Sequence, residues 1–119
     1  MDTQTSPLAP LAQRLLAFAQ ARDWLQFHSP KNLASALVVE AGELLEPFQW
    51  PSDAESRNLS DDQHQAVAGE MADVLIYLVQ LSTAMGVDVV AAAQRKIDLN
   101  EQRYPVERSR GHNRKYDAL

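Results

Sequence analysis

The sequence contains no cysteine, only four glycines and no excess of positive charge. The lack of cysteine fits a reducing compartment without requiring one, and it removes the thiolate ligands of common zinc sites. Acidic residues outnumber basic ones by 16 to 11, which gives a net charge of −5. The chain as a whole therefore has no electrostatic attraction to nucleic acid or to an anionic membrane.

The amino terminus has neither a basic region nor a long apolar run. We therefore expect no signal peptide, no transmembrane helix and a cytoplasmic location. The composition, 45% hydrophobic and 23% charged, is ordinary for a globular protein. We expect a single domain over residues 1–119, with residues 1–5 frayed and residues 105–119 forming an irregular basic tail.

Four helices are predicted from the spacing of apolar residues and from the capping residues at their ends. They run from a Ser6–Pro7 cap to about Arg22, from Ser29 to the region 47–50, from a Ser60 capping box to Met85 with Gly86 closing it, and from an Asp88 cap to about Arg103. Residues 51–59 are predicted to form a polar loop. The third helix is apolar nearly all round over residues 74–81, which predicts that a second copy of the chain helps to bury it.

Two acidic pairs interrupt the apolar faces of the second and third predicted helices. Glu40 and Glu43 share a face with leucines of the second helix, and Glu70 and Asp73 lie on the apolar face of the third. Acids on such a face are rarely buried unless they are paired, protonated or bound to a metal. If the two helices pack face to face, the four carboxylates converge on one point.

Ligation by carboxylate oxygens alone suits a hard cation. This favours Mg²⁺, with Mn²⁺ as a possible substitute and Ca²⁺ behind it. No histidine lies three or four residues along the chain from any of the four acids, so a helical di-iron site fits poorly. The two acidic pairs therefore predict a magnesium site between two helices.

A protein-bound Mg²⁺ commonly engages substrate phosphates because it keeps water-filled positions, which indicates hydrolysis of a phosphoanhydride. Two sets of side chains could complete a nucleotide site: cationic and amide groups on the fourth helix for the phosphates, and aromatic rings for the base. They are Lys96, Asn100 and Arg103, and Trp24, Trp50 and Tyr77. Such charges more often form a solvated face, and aromatic rings in a small domain more often fill its core.

Several segments of the chain carry a resemblance to a known family. They are Arg-Asp-Trp-x-x-Phe-His-x-Pro-x-Asn (22–32), Phe-Gln-Trp (48–50), Asp-Val-Leu-Ile-Tyr-Leu (73–78), Gln-Arg-Tyr-Pro-Val (102–106), and Ser-Arg-Gly followed by Lys-Tyr in the tail. Together they resemble the MazG-like all-α nucleoside triphosphate pyrophosphohydrolases, most closely the dCTP pyrophosphatase branch. The resemblance implies a four-helix bundle assembled as a homodimer or dimer of dimers. It also implies Mg²⁺-dependent cleavage of a nucleoside triphosphate, such as dCTP or a modified dCTP, to monophosphate and pyrophosphate.

The resemblance implies roles for residues by their position. The implied metal ligands and catalytic residues are Glu40, Glu43, Glu70 and Asp73. The residues implied to contact the base and sugar are Trp24, Trp50 and Tyr77, and those implied to contact the phosphates are Lys96 and Asn100. His28 and Arg103 also match family segments and are implied to bind the nucleotide in less defined roles. His28 could instead be a packed or capping histidine. In vertebrate members of this branch a histidine of the first helix contributes to the nucleotide pocket, whereas the aligned position here is Leu15. Because leucine cannot hydrogen-bond, the resemblance leaves the preferred base open.

Two functions of other classes stay open beside hydrolysis. One is a non-catalytic helical module that binds a nucleotide or a metal without turnover. The other is a structural dimerisation bundle whose basic tail binds nucleic acid. The second leaves the inward-facing acids unexplained, so we expect a nucleotide substrate and no nucleic-acid or membrane partner.

Overall fold

The computed structural model describes residues 6–119. Within this range the protein is helical and contains no strand. The helices are α1 (Ala9–Ala21), α2 (Pro30–Leu45), α3 (Asp53–Ser56), α4 (Asp61–Met85), α5 (Val89–Arg103) and α6 (Val106–Ser109), with single 3₁₀ turns at Leu25–Phe27, Glu46–Phe48 and Tyr116–Ala118. The predicted all-α fold is confirmed, and the four predicted long helices are α1, α2, α4 and α5. The prediction that residues 1–5 are frayed lies outside the described residues.

Local capping chemistry sets the ends of the long helices. The Ser60 hydroxyl accepts a hydrogen bond from the Gln63 amide at 3.2 Å while the Gln63 side chain accepts one from the Ser60 amide at 3.0 Å, so the predicted capping box is present. Gly86 ends α4 in the left-handed conformation at φ 65°, which glycine adopts without a steric penalty. Asp88 caps α5 by accepting from the Ala91 amide at 3.0 Å.

Four predicted boundaries or segments differ from the structure. The second helix ends at Leu45 and is followed by a 3₁₀ turn, whereas it was predicted to reach the region 47–50, and the tail 105–119, predicted to be irregular, contains α6 and a 3₁₀ turn. The first helix begins at Ala9, because Ser6 uses its carbonyl and hydroxyl oxygens in the preceding turn, accepting from the Ala9 amide at 3.0 Å and from the Leu8 amide at 3.3 Å. The prediction that Ser6 is the N-cap is therefore wrong. The predicted loop 51–59 contains the short helix α3, which is stabilised by a capping box between Ser52 and Glu55.

Helix packing within one chain involves chiefly three of the long helices. α2 packs along α4, α1 packs on α4 to a lesser extent, and α5 makes only slight contacts with the rest of the chain. Among the described residues, the apolar side chains that are fully buried are Ala19 of α1, Leu33 of α2 and Val79 of α4. The core of a single chain is therefore small.

Several large apolar side chains remain exposed. Val38 is 70% exposed and Leu45 is 63% exposed on α2, and Met71 is 58% exposed on α4. The radius of gyration is 17.7 Å, whereas a compact domain of this length has a value of about 13.5 Å. A single chain is thus extended and covers its own apolar surface incompletely.

Among the described helices, α4 is long and apolar enough to cross a membrane by length and composition. The core helix of a globular protein passes the same test, and this one carries Glu70 and Asp73 in its middle and packs along α2. The feature therefore adds little evidence for a membrane span.

The basic tail folds back on the end of α5. The rings of Tyr104 and Tyr116 meet edge to face with their centroids 6.2 Å apart, and the guanidinium carbon of Arg103 lies 4.8 Å from the centroid of the Tyr116 ring. His112 Nε2 lies 2.6 Å from the Arg108 carbonyl oxygen. Aromatic and cation–π contacts therefore hold residues 104–116 together at the carboxyl end of α5.

Candidate metal and nucleotide site

Three of the four predicted metal ligands come together. Each of Glu40, Glu43 and Glu70 places one carboxylate oxygen within 4.8 Å of the other two. Glu40 and Glu43 lie one turn apart on α2, while Glu70 is contributed by α4, which packs along α2. The face-to-face packing predicted for the two acid-bearing helices is therefore present, and it creates a cluster of negative charge.

The cluster disfavours ionisation of Glu40. Its pKa is raised above the ordinary value of 4.5, first by a hydrogen bond between its carboxyl and that of Glu43 and then by partial burial. The negative charges of Glu43, Asp73 and Glu70 raise this pKa further. A proton or a cation is thus needed to relieve the repulsion.

Glu70 is affected in the same direction by a different leading cause. Partial burial is the largest contribution to the rise in its pKa, followed by the charges of Glu43, Asp73 and Glu46. Glu46, in the 3₁₀ turn after α2, was not recognised from the sequence, although it follows Glu43 by three residues and so continues the same helical spacing. Five acids therefore contribute charge to one region.

The donor set fits a cation. Among residues 6–119, Oε2 of Glu40 and Oε2 of Glu70 are inaccessible to solvent and have no hydrogen-bond partner. Every influence that shifts the pKa of either residue disfavours the ionised form, and no basic group among the described residues counters it. Buried acceptor oxygens without donors are costly, and a hard cation ligated by oxygen would satisfy them.

Asp73, the fourth predicted ligand, lies beside this trio on α4. It lies on α4 three residues after Glu70 and is exposed, and it is not part of the trio whose oxygens lie within 4.8 Å of one another. Its charge nevertheless raises the pKa values of Glu40 and Glu70. Asp73 therefore borders the cluster, and its role as a metal ligand stays a prediction.

The predicted aromatic residues are spread over different elements. Trp24 packs edge to face on Phe18 with ring centroids 5.7 Å apart, and Tyr77 is half-buried on α4. Trp50 is 85% exposed, so most of its ring is free of contacts with the other residues that the structure describes. A base pocket formed by these three rings stays a prediction.

The predicted phosphate-binding residues all lie on α5. Lys96, Asn100 and Arg103 are exposed there, and α5 makes only slight contacts with the other helices of its own chain. Arg103 is additionally in contact with the ring of Tyr116. The fold of one chain thus presents these groups to solvent.

A cavity of about 300 Å³ lies where α1, the start of α2 and the last turns of α4 meet. It is lined by apolar side chains together with His28 and Gln80, and Leu15 forms part of its wall. His28 is half-buried and lines this cavity, which is compatible with either of the roles considered for it. Gln80 was overlooked in the sequence, although it lies on the same face of α4 as Asp73 and Tyr77.

Together these features define an all-α protein in which two packed helices build a carboxylate site suited to a metal ion. The family model of the MazG-like family matches residues 36–119, a range that includes every residue of the acid cluster. The chain belongs to this family, and the resemblance seen in the sequence is confirmed.

Curated relatives and a solved structure resemble the chain over most of its length. It is 51% identical over 104 residues to dCTP pyrophosphatase 1 of Rattus norvegicus and 47% identical over 104 residues to dCTP pyrophosphatase 1 of Homo sapiens. These matches cover 86% of the chain and 61% of each relative, so the chain spans about three-fifths of their length. A pyrophosphatase from Archaeoglobus fulgidus matches with a TM-score of 0.78 and 39% identity, covering 82% of this chain and 92% of that one.

Proposed function

We propose that the protein hydrolyses a nucleoside triphosphate to the nucleoside monophosphate and pyrophosphate, with dCTP or a modified dCTP as substrate. The observation that carries the proposal is the trio Glu40, Glu43 and Glu70, which gathers carboxylate oxygens from two helices. Among the described residues, Oε2 of Glu40 and Oε2 of Glu70 are buried without a partner. The similarity to proteins named as dCTP pyrophosphatases and as a pyrophosphatase supports the reaction and the substrate.

The trio would hold Mg²⁺, with Mn²⁺ as a substitute, and Asp73 borders it on α4. When bound, the ion would neutralise carboxylate and phosphate charge and lower the pKa of a bound water. The carboxylates of this chain would hold the ion and accept the proton of the attacking water. A carboxylate at the edge of the cluster, as Asp73 is, can accept a proton from an attacking water while the others stay with the cation.

Lys96, Asn100 and Arg103 are proposed to contact the phosphates, and Trp24, Trp50 and Tyr77 the base and sugar. All of these residues except the half-buried Tyr77 are exposed in a single chain, which supports the proposal that a second copy completes the site. The incomplete burial of α2 and α4 and the extended shape of the chain support the same homo-oligomer. Helix α5 could then reach phosphates bound at an acid cluster of either copy.

The proposal is tested by measuring pyrophosphate release from dCTP, 5-methyl-dCTP, dUTP, dTTP, dATP and dGTP, with Mg²⁺ and with EDTA. The proposal is supported if pyrophosphate release requires the metal and if its rate falls at least about a hundredfold in Glu43→Gln. Replacing a residue that only hydrogen-bonds to a metal ligand already lowers activity by up to about a hundredfold, so replacing a ligand itself should lower it at least as much. Glu107→Gln, which removes an exposed acid from α6, is the matched control and should behave as wild type. Nucleotide binding without turnover by the wild-type protein would contradict it.

A further inference from the structure

His112 connects two parts of the tail through both nitrogens of its ring. Its Nε2 lies 2.6 Å from the carbonyl oxygen of Arg108 in α6, and its Nδ1 accepts a hydrogen bond from the Arg114 amide at 3.2 Å. Between these contacts Gly111 turns the chain at φ 88°, a conformation that glycine adopts without a steric penalty. The imidazole therefore ties residues 114–119 to α6 across this turn.

The two partners of the ring determine its protonation state. A backbone amide can only donate and a backbone carbonyl can only accept, so Nδ1 carries no proton and Nε2 carries one. Both hydrogen bonds thus exist together only in the neutral imidazole. A second proton, on Nδ1, would replace the acceptor by a donor that faces the N–H of Arg114, and only the bond to Arg108 would remain.

The segment beyond this tie packs on the end of α5. Tyr116 follows Arg114 by two residues, and its ring meets that of Tyr104 edge to face. The centroid of the Tyr116 ring lies 4.8 Å from the guanidinium carbon of Arg103. Arg103 is one of the residues proposed to bind the phosphates of the substrate. Loss of the bond at His112 can therefore affect a cation of the proposed site through its contact with Tyr116.

We propose that His112 is a positioning residue: its neutral ring holds the tail on α5, and its protonation releases residues 114–119 together with the packing of Tyr116 on Arg103. The consequence for the substrate rests on the proposed function. Substrate binding then weakens as the pH falls from 8 to 5, the interval in which histidine ordinarily gains its second proton.

The other titratable groups near His112 belong to residue types that ordinarily keep one charge state over this interval. They are Glu107 and Arg108 on α6, Arg110, Arg114, Lys115, Tyr116 and Asp117 in the tail, and Arg103 and Tyr104 at the end of α5. A change in the packing of the tail between pH 8 and pH 5 is therefore attributable to His112.

Hydrogen exchange in the absence of nucleotide tests whether the tail is released. Protection of the amides of residues 114–119, corrected for the intrinsic exchange rate at each pH, should fall about fivefold between pH 7.5 and pH 5.5 in the wild-type protein, the effect of one lost hydrogen bond. In His112→Asn the fall should be absent, because an asparagine oxygen accepts from the amide two residues on and does not titrate. His64→Asn, the same change at an exposed histidine on α4, should keep the wild-type fall.

His112→Phe keeps an aromatic ring but makes neither hydrogen bond, so protection of its tail should be low at both pH values. No side chain of residues 105–119 is fully buried, so the variants at position 112 should keep the wild-type circular dichroism spectrum. The proposal is overturned if tail protection in the wild-type protein is independent of pH, or if His112→Asn shows the wild-type fall. It is also overturned if His112→Phe is as protected as the wild-type protein at pH 7.5.

The effect on Arg103 is measured as KM for dCTP at the same two pH values. The ratio of KM at pH 5.5 to KM at pH 7.5 should be about threefold greater in the wild-type protein than in His112→Asn, the effect of losing the contact with Tyr116, whereas kcat should change equally in both. Protonation of the substrate's phosphates is the same for both proteins and cancels in this comparison. Equal ratios would overturn the positioning of Arg103. If no nucleotide releases pyrophosphate, the proposed function alone fails, and hydrogen exchange still decides whether His112 holds the tail.

Discussion

Glu40 and Glu70 belong to different helices, yet each places a carboxylate oxygen within 4.8 Å of one from the other, and Oε2 of each is buried without a partner among residues 6–119. The pKa values of both residues are raised, that of Glu40 first by its hydrogen bond with Glu43 and that of Glu70 first by partial burial, with the charges of neighbouring acids adding to both. The packing of α2 on α4 thus holds an arrangement that a cation would stabilise.

The first prediction concerns pH and metal together. Because the folded-state pKa values of Glu40 and Glu70 lie above the ordinary value of 4.5, the folded protein keeps protons that the unfolded chain has released. The metal-free protein should therefore lose stability as the pH rises from 4.5 through these raised values, and the loss should be complete above them. Mg²⁺ should offset the loss, so that it raises the melting temperature more at pH 7 than at pH 5.

Thermal unfolding in Mg²⁺ and in EDTA across this pH range measures the effect. At a metal concentration one hundred times the dissociation constant, the stabilisation should be about 2.7 kcal/mol. A Mg²⁺-induced shift in melting temperature that is the same at pH 5 and pH 7 would count against these residues as ligands.

The second prediction concerns Glu40→Gln. The substitution removes one negative charge from the cluster, so the metal-free variant at pH 7 should melt at a higher temperature than the wild-type protein. The variant should also lose most of the Mg²⁺-induced increase in melting temperature and most of its activity. The same carboxylate destabilises the metal-free fold and is needed to bind the metal, so stability and activity change in opposite directions. The exposed acid in Glu107→Gln serves as control and should change neither quantity. A Glu40→Gln variant less stable than wild type in EDTA would show that the repulsion is not the dominant effect.

The third prediction tests the proposed assembly. Val38 on α2 is 70% exposed in a single chain, and Val106 on α6 is 69% exposed. If a second copy covers α2, Val38→Lys would bury an unpaired charge in the interface and should lower the molecular mass in sedimentation equilibrium. Val106→Lys, matched in residue and exposure, should leave the mass unchanged and alter stability by no more than about 0.5 kcal/mol. Equal behaviour of the two variants would exclude the Val38 surface from the interface.

The fourth prediction concerns the tail. Tyr116 contacts both Tyr104 and Arg103, and an aromatic pair of this kind contributes about 0.5–1.5 kcal/mol beyond burial. Tyr116→Ala should release residues 110–119, measured as faster amide exchange there, whereas Tyr116→Phe should keep the protection. If Arg103 binds phosphate, Tyr116→Ala should also raise KM. Unchanged exchange in Tyr116→Ala would mean that other contacts hold the tail.

The long helices could be predicted because their ends depend on local chemistry. Ser60, Gly86 and Asp88 act through hydrogen bonds and backbone conformation within a few residues, so their effect is visible in the sequence. α3 was missed although Ser52 and Glu55 have capping-box spacing, because turn-forming residues around them favoured a loop. The start of α1 was misplaced because Ser6 bonds within the preceding turn.

The site could be predicted only in part. The helical period placed Glu40, Glu43 and Glu70 on facing sides of two helices, and their convergence followed from packing. The exclusion of Asp73 from the trio depends on the packing of whole helices, which no local pattern specifies. Trp50 and Lys96 are exposed in a single chain, so neither sequence periodicity nor one chain's fold determines how they would approach the acids in the proposed assembly.

The most direct test of the central claim is the identity of the products formed from dCTP. Wild-type protein with Mg²⁺, wild-type protein with EDTA, and Glu40→Gln with Mg²⁺ would each be incubated with dCTP, and the nucleotides and phosphates separated by anion-exchange chromatography. The account predicts equal amounts of dCMP and pyrophosphate from the first sample and little of either from the others. Formation of dCDP and phosphate, or equal dCMP formation by all three samples, would contradict it.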